Sequence, residues 1–286
     1  MPHKELLPLI FCIVDDFCKK FEPYYKNQLK KEGSKIRDRK SQMTLSEDLT
    51  VVIFYQFSGI KNFKTFFNAF KENFISEFPK LCSYNRFIEK KQRLLFPLYA
   101  LSQCVKGECS GVSFIDATAL PVCHNKRIYS HKVFKEIAQR GKTTMGYFYG
   151  FKLHLVVNHT GQIIDYSLSS GEVPDINKAF DLLKNLWGSA YADKGYVSSK
   201  IFENLRLLKV NFMTYLKKNM KNVKDKLVPF QDAINLRNRG GVVENTIKAL
   251  KIKYSIWQTR SRSVANYFVN IFGAICAHGL GYKFGF

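Results

Sequence analysis

Acidic residues are scarce in this chain beside basic ones: 23 Asp and Glu stand against 45 Lys and Arg in 286 residues, a formal net charge of +22. Lys outnumbers Arg, and Phe, Asn, Ile and Tyr are abundant, as AT-rich coding produces, but such drift does not account for the scarcity of acids. So basic a chain is drawn to polyanions, either nucleic acid or an anionic membrane surface. No basic amphipathic helix of the kind that lies on membranes stands out. No transmembrane span is convincing either: residues 264–280 carry Asn266, Asn270 and His278 and read as a buried helix. The run Leu6 to Val14, interrupted by Pro8, does not have the pattern of a signal peptide. The seven cysteines are odd in number and scattered, which does not fit a disulfide framework and implies a reducing, cytosolic setting. Cys104, Cys109, Cys123, His124 and His131 fit the spacing of no compact zinc module. No internal repeat is visible.

With acids so few, the place of each one is informative. From Gly111 to the end, 26 Lys and Arg face 11 Asp and Glu, and Glu244 is the last acid in the chain. At 46% apolar the chain is globular, with length for one large domain or two smaller ones around a sizeable core.

The first hundred residues read as helices. Leu6 to Tyr25 is a helix interrupted by prolines, and Lys26 to Gln42 a basic loop. Thr44-Leu45-Ser46-Glu47-Asp48 opens a second helix with a polar cap and early acids. Phe63, Phe66, Phe67, Phe70 and Phe74 recur at helical spacing. A further helix starts at Ser83 and is expected to run to about Val105 despite Pro97. Its Ser83, Tyr84, Asn85, Arg86 and Lys90 fit a helix-turn-helix-like DNA reader; a plain bundle with an aromatic core fits as well.

From Gly111 the pattern turns to strands. Gly111 to Thr118, Gly146 to Val157 and Gln162 to Leu168 read as antiparallel strands. A helix from Asp175 to Trp187 follows, with Asp175 as its N-cap, then a strand from Ser189 to Asp193. A helix from Ser198 to Leu208 and a strand from Asn211 to Leu216 come next. Residues 217–239 read as a basic loop before a helix bearing Glu244 and an apolar C-terminal helix. The fold class is therefore α/β, a mixed sheet flanked by helices and preceded by an all-α N-terminal region, with the division near residue 108: 1–108 helical, 109–286 the α/β domain.

Asp116 ends an apolar strand and Asp193 ends another, and Glu244 rides a helix. Carboxylates beside apolar residues are costly unless compensated, and hard divalent cations are what such oxygens hold. At these residues the chain resembles the DDE transposases of bacterial insertion sequences, whose catalytic domain is ribonuclease H-like. Phe114-Ile115-Asp116-Ala117-Thr118 resembles the first acidic strand, Tyr191-Ala192-Asp193-Lys194-Gly195-Tyr196 the second, and Val243-Glu244 with Lys251 the glutamate helix. Tyr149-Gly150-Phe151-Lys152-Leu153-His154 resembles the family's aromatic-Gly-aromatic-Lys-x-His strand. The chain departs from the family pattern where an Arg often precedes the glutamate by a few residues: Arg239-Gly240-Gly241 stands there, placing Arg239 five positions back, and the stretch from Leu216 to Glu244 leaves no room for an inserted β domain.

The resemblance implies a DNA transposase, a metal-dependent endonuclease that cuts at element ends and joins the strand to target DNA. Asp116 is then expected to bridge two Mg(II) ions, with Mn(II) a substitute, while Asp193 and Glu244 each complete one side. Lys248 and Lys251 follow Glu244 at i+4 and i+7, one face of an α-helix, and are expected on DNA phosphates. Lys152, His154, Arg239 and Arg86 are further DNA-binding candidates, a structural role for His154 being the alternative. The implied partners are double-stranded DNA, at the terminal repeats and the target, and a second copy in a homodimer, with no membrane. A nuclease of the same fold without strand transfer, and a non-catalytic transposase-derived DNA-binding protein, are the competing functions.

Overall fold

A computed structural model describes residues 5–33, 41–214, 230–257 and 261–285. The chain packs as two units, Met1–Val105 with Leu250–Phe286, and Lys106–Ala249. The single division expected near residue 108 thus meets a packing in which the C-terminal residues join the N-terminal ones.

The first unit is helical. Helix α1 (Leu6–Lys31) runs past Pro23 and takes in the start of the expected basic loop, whose residues 34–40 lie outside the described residues. Pro8 falls in its first turn, where a missing N–H costs nothing. Helix α2 (Leu45–Phe57) opens with a full capping box: the Thr44 hydroxyl accepts the Glu47 N–H, and the Glu47 carboxylate accepts the Thr44 N–H. It is apolar nearly all round and buried from Leu49 to Gln56, as a central helix must be. Phe54 packs edge-on against Phe70 and Phe74 of helix α3 (Phe63–Phe74). The helix expected from Ser83 to Val105 is broken into α4 (Tyr84–Lys91), a 3-10 turn (Gln92–Leu94) and α5 (Leu95–Cys104). Pro97 sits in the first turn of α5, where it forbids a continuous α-helical ladder with the preceding turn. The last helix of the chain, α9 (Val264–Phe284), is long and apolar enough to cross a membrane, but most of it is buried in this unit against α2 and α5. There Gly279 lets its backbone approach the backbone of Val105.

The second unit is built on a six-stranded sheet in the order β2-β3-β1-β5-β6, with β4 paired to β3 in line with β2. Strand β1 (Val112–Cys123) is antiparallel to β3 (Gly146–Asn158) and parallel to β5 (Gly188–Ala192), which is parallel to β6 (Val210–Thr214). Strand β1 runs five residues past the expected end at Thr118 because β3 pairs it as far as Cys123. Strand β2 (Gln139–Thr143), unforeseen in a polar stretch, pairs with the first residues of β3; β4 (Ile163–Ser170) pairs with the rest. Gly150 sits where these pairings meet, with φ of +157°; a Cβ there would collide with the Leu120 carbonyl on β1. The glycine of the Tyr149-Gly150-Phe151 run is thus a close-approach residue.

Helices α6 (Ile176–Leu183) and α7 (Ser199–Leu207) cover one face of the sheet, burying Ala179, Leu182, Leu183 and Leu205 against Ile115, Val156, Ala190, Ala192 and Phe212. Helix α8 (Phe230–Lys248) crosses the other face, over β1, β3, β5 and β6. It begins inside the stretch expected to be loop, whose residues 215–229 lie outside the described residues. Leu236 and Val243 are buried beneath α8, and the Thr246 hydroxyl donates to the Gly161 carbonyl at the β3–β4 turn, 2.9 Å. A mixed sheet with helices on both faces, preceded by an all-α segment, is the ribonuclease H-like α/β class expected from the sequence.

Candidate active site

Residues directly opposite in an antiparallel pair share a face, and alternate residues on one strand do too. Ile115 pairs with Val156 and points to α6 and α7; Asp116 pairs with Leu155 and points to α8. In the parallel pair, Phe114 stands opposite Tyr191, and their rings touch at 5.8 Å on the α8 face. Two residues beyond that pair each strand carries an aspartate, Asp116 and Asp193. The register therefore sets them abreast on one face. Asp116 lies within β1 rather than at its end, and Asp193 is the first residue after β5, ahead of a 3-10 turn (Lys194–Tyr196).

Helix α8 delivers a cation to them. One guanidinium nitrogen of Arg239 is 4.0 Å from Asp116 Oδ2 and the other 3.8 Å from Asp193 Oδ1. These are ion-pair distances beyond hydrogen-bond reach, and Arg239 Nε and Nη1 are buried without an acceptor. Only 11% of the Arg239 side chain is exposed, so the charge is felt strongly. The Ala117 N–H donates to Asp116 Oδ1 at 2.8 Å, fixing one oxygen and leaving the other toward Arg239. Burial pushes the Asp116 carboxyl up to about 6, against the pull of the Ala117 N–H and of Arg239, with the charge of Asp193 adding to the rise. Asp193 is more open, its side chain 56% exposed.

Tyr196, from the Asp-Lys-Gly-Tyr run, is buried beside this pair with no partner for its hydroxyl. Burial, followed by the charge of Asp116, holds its phenol well above the ordinary range. The Asp-Lys-Gly-Tyr run alone does not assign this tyrosine to the site. Nor are Asp232 and Asn235, which hold the Tyr191 hydroxyl at 2.5 and 2.9 Å, among the residues expected there. Their signal was available: Asp232, Asn235, Leu236 and Arg239 recur at helical spacing in the expected loop and continue into Val243 and Thr246 of the expected helix.

Glu244 is not brought to the pair. It is exposed on α8, and its carboxylate lies along its own helix beside Gly240. Five residues at 100° each set it about 140° around the helix from Arg239. Among the described residues no group of three His, Cys, Asp or Glu side chains is placed to hold a metal ion.

The other candidates are dispersed. Lys152 is buried and its ammonium donates to Asp175 Oδ1 and the Val173 carbonyl, each at 3.0 Å. Asp175 occupies the N-cap position of α6 but makes no capping bond; Lys152 takes its carboxylate instead. His154 is fully buried and shares a 2.8 Å hydrogen bond with the Ser169 hydroxyl. Burial pushes its imidazole down to about 4, so it is neutral. Both sit on the α6 face of the sheet, opposite Asp116, and are buried there. Of the expected reader helix, Lys90 is held by Asp48 at 2.8 Å, and Arg86 is exposed and paired to Glu89 at 3.0 Å. Lys248 is the exposed last residue of α8. A π-helical turn (Ala249–Lys253) follows it, so Lys251 leaves the α-helical phase expected of it; its ammonium stands 4.4 Å from the centre of the Trp257 ring.

Residues 106–264, more than half of the chain, match a family described as the transposase DDE domain. No match was found among curated proteins or among solved structures. The matched stretch takes in both aspartates, the arginine between them and Glu244, and the chain belongs to the transposase DDE domain family.

Proposed function

We propose that the chain is a metal-dependent DNA transposase that cuts at element ends and joins the freed strand to target DNA, with Asp116, Asp193 and Glu244 as its three carboxylates. The observation that carries this reading is the pair of aspartates abreast on parallel strands with one guanidinium between them. Two carboxylates turned toward a shared positive charge form a hard-oxygen donor set suited to Mg(II) or Mn(II). Held by Asp116, Asp193 and Glu244, two such ions would supply Lewis-acid activation of a hydroxyl nucleophile for attack on a phosphodiester.

The protein's own groups prepare the site. The Ala117 N–H orients Asp116 so that Oδ2 is free to bind. Arg239 offsets the two negative charges until they have another partner, and is then available to a DNA phosphate. Glu244, exposed on α8, is the third carboxylate of this reading. Lys248, Lys251 and Arg86 add phosphate contacts, and two copies bring two DNA ends together.

The test is cleavage of DNA carrying the element's ends, with Mg(II), by Asp116→Asn, Asp193→Asn and Glu244→Gln. Loss in all three with DNA binding kept is the expected result; cutting by the triple variant would sink the reading. A pre-cut end offered with target DNA separates a transposase from a nuclease, since only the former joins them. Lys251→Ala should lower cleavage by about tenfold, equivalent to one phosphate contact of about 1.4 kcal/mol.

A further inference from the structure

The helical unit holds a cavity of about 880 Å³ that the catalytic reading does not use. It lies between the end of α2, the loop leading into α3, helix α4 and the start of α9. No acidic residue lines it among the described residues, whereas Lys61, Lys64, Lys91 and Arg262 all do. Lys91 is the unusual one. It is only 6% exposed, and its ammonium stands 4.1 Å from the centre of the Phe63 ring and 6.0 Å from that of Tyr55. No carboxylate pairs with it among the described residues. Its sequence neighbour Lys90 meets Asp48, and in the other unit Lys106 meets Asp165 and Lys152 meets Asp175. A buried ammonium without a counter-charge is costly, and aromatic faces offset only part of that cost.

We propose that this cavity is a nucleotide-binding pocket in which Lys91 and the rim cations take the phosphate and the aromatic wall takes the base. The volume is in the range of small-molecule pockets and far exceeds what a phosphate ion fills. Tyr84, with the exposed Lys64 ammonium 5.9 Å from its ring centre, offers a ring face for stacking. Asn266, on the wall, has a buried side-chain oxygen that accepts no hydrogen bond, a place for the amino group of a base. Lys61, Lys64 and Arg262 are exposed at the mouth, where a phosphate or the next phosphodiester lies. The ligand is a 5′-phosphorylated nucleoside, either free or as the unpaired end of a DNA strand. The pocket does not depend on the proposed chemistry of Asp116, Asp193 and Glu244.

The test uses the full chain and three probes: deoxyadenosine monophosphate, a short 5′-phosphorylated oligodeoxyadenylate and inorganic phosphate, by calorimetric titration at fixed salt. The expected result is that at least one nucleotide probe binds about tenfold or more tighter than inorganic phosphate, a difference near 1.4 kcal/mol. Lys91→Met should abolish that binding yet melt at a higher temperature than the parent, because it removes an unpaired buried charge while keeping the packing. Arg262→Ala, at the exposed mouth, should fold normally and bind several-fold more weakly. Displacement of the mononucleotide by the oligonucleotide assigns the pocket to a strand end; binding of the mononucleotide alone assigns it to the free nucleotide. Binding retained in Asp116→Asn separates this pocket from the catalytic reading. Nucleotide binding no tighter than phosphate, or unaffected by Lys91→Met, overturns the proposal.

Discussion

The most buried lysine of each unit is treated in the opposite way, although Lys90 of the helical unit also meets an acid, Asp48. In the sheet unit the enclosed cations meet acids: Lys152 has Asp175, Lys106 has Asp165, and Arg239 stands between Asp116 and Asp193. In the helical unit Lys91 faces aromatic rings, and no acid lines its cavity among the described residues. A matched charge holds a structure together until a competitor arrives, whereas an unmatched one costs stability and is the mark of a partner that comes from outside. The comparison separates a site whose protein cation must be displaced from one whose cation awaits an anion.

The most damaging way to break the matched side is Asp116→Asn. It removes one of two carboxylates facing Arg239, and DNA cleavage should fall by a thousandfold or more, a loss of roughly 4 kcal/mol of transition-state stabilisation. Circular dichroism and DNA binding should be unchanged. Cleavage within tenfold of the parent would remove Asp116 from the chemistry.

Replacing each cation by methionine sharpens the contrast, because the two changes should have opposite signs. Arg239→Met leaves Asp116 and Asp193 abreast without compensation and should destabilise by roughly 1–2 kcal/mol, discounted because Asp193 is half open to solvent. Lys91→Met should stabilise by roughly 1–3 kcal/mol. Urea melts of both variants measure this directly, and effects of the same sign would erase the distinction. A third substitution, Lys152→Met, should destabilise by roughly 1 kcal/mol while leaving the salt dependence of DNA binding unaltered, since a buried, paired lysine neutralises no phosphate. A shallower salt slope would return Lys152 to the DNA.

Much of the sheet unit was legible in the sequence because its signals are local. Strand periodicity located β1, β3, β4 and β5, and the aspartates of the quoted runs lie where the β1–β5 register puts them side by side. The start of α8 was not read, because the asparagines and paired glycines from Asn235 to Gly241 are weak helix formers that tertiary contact holds in place through Leu236 and Val243. The partners of Lys152 and His154 could not be read either. A lysine–histidine strand pattern marks a shared face without saying whether that face is solvent or the underside of α6. The cavity was the least legible feature. Lys91 and Arg262 are 171 positions apart, and nothing in a lysine doublet tells which member loses its acid.

A further effect is specific to the unmatched lysine, and it is read in pH. Burial pushes the Lys91 ammonium down to about 8, from an ordinary value of 10.5. Below about pH 8 both the folded and unfolded chains carry this proton, and the folded state bears the full cost of the buried charge. Between about pH 8 and the ordinary value the folded chain has released the proton and the unfolded chain still holds it. The unfolded state then binds more protons, so the contribution of Lys91 to stability rises with pH across that window. The phenol facing it, Tyr55, is pushed up to about 12 by burial and does not titrate there, and Lys61, Lys64 and Arg262 at the mouth bring no negative charge. The stability gap between Lys91→Met and the parent should therefore be widest near pH 7 and narrow steadily toward about pH 10. Saturating nucleotide at about pH 7 should narrow it as well, because the bound phosphate stabilises only the chain that keeps its lysine. A gap constant across this range would mean that the Lys91 ammonium is not desolvated, and the contrast between the two units would lose its unmatched side.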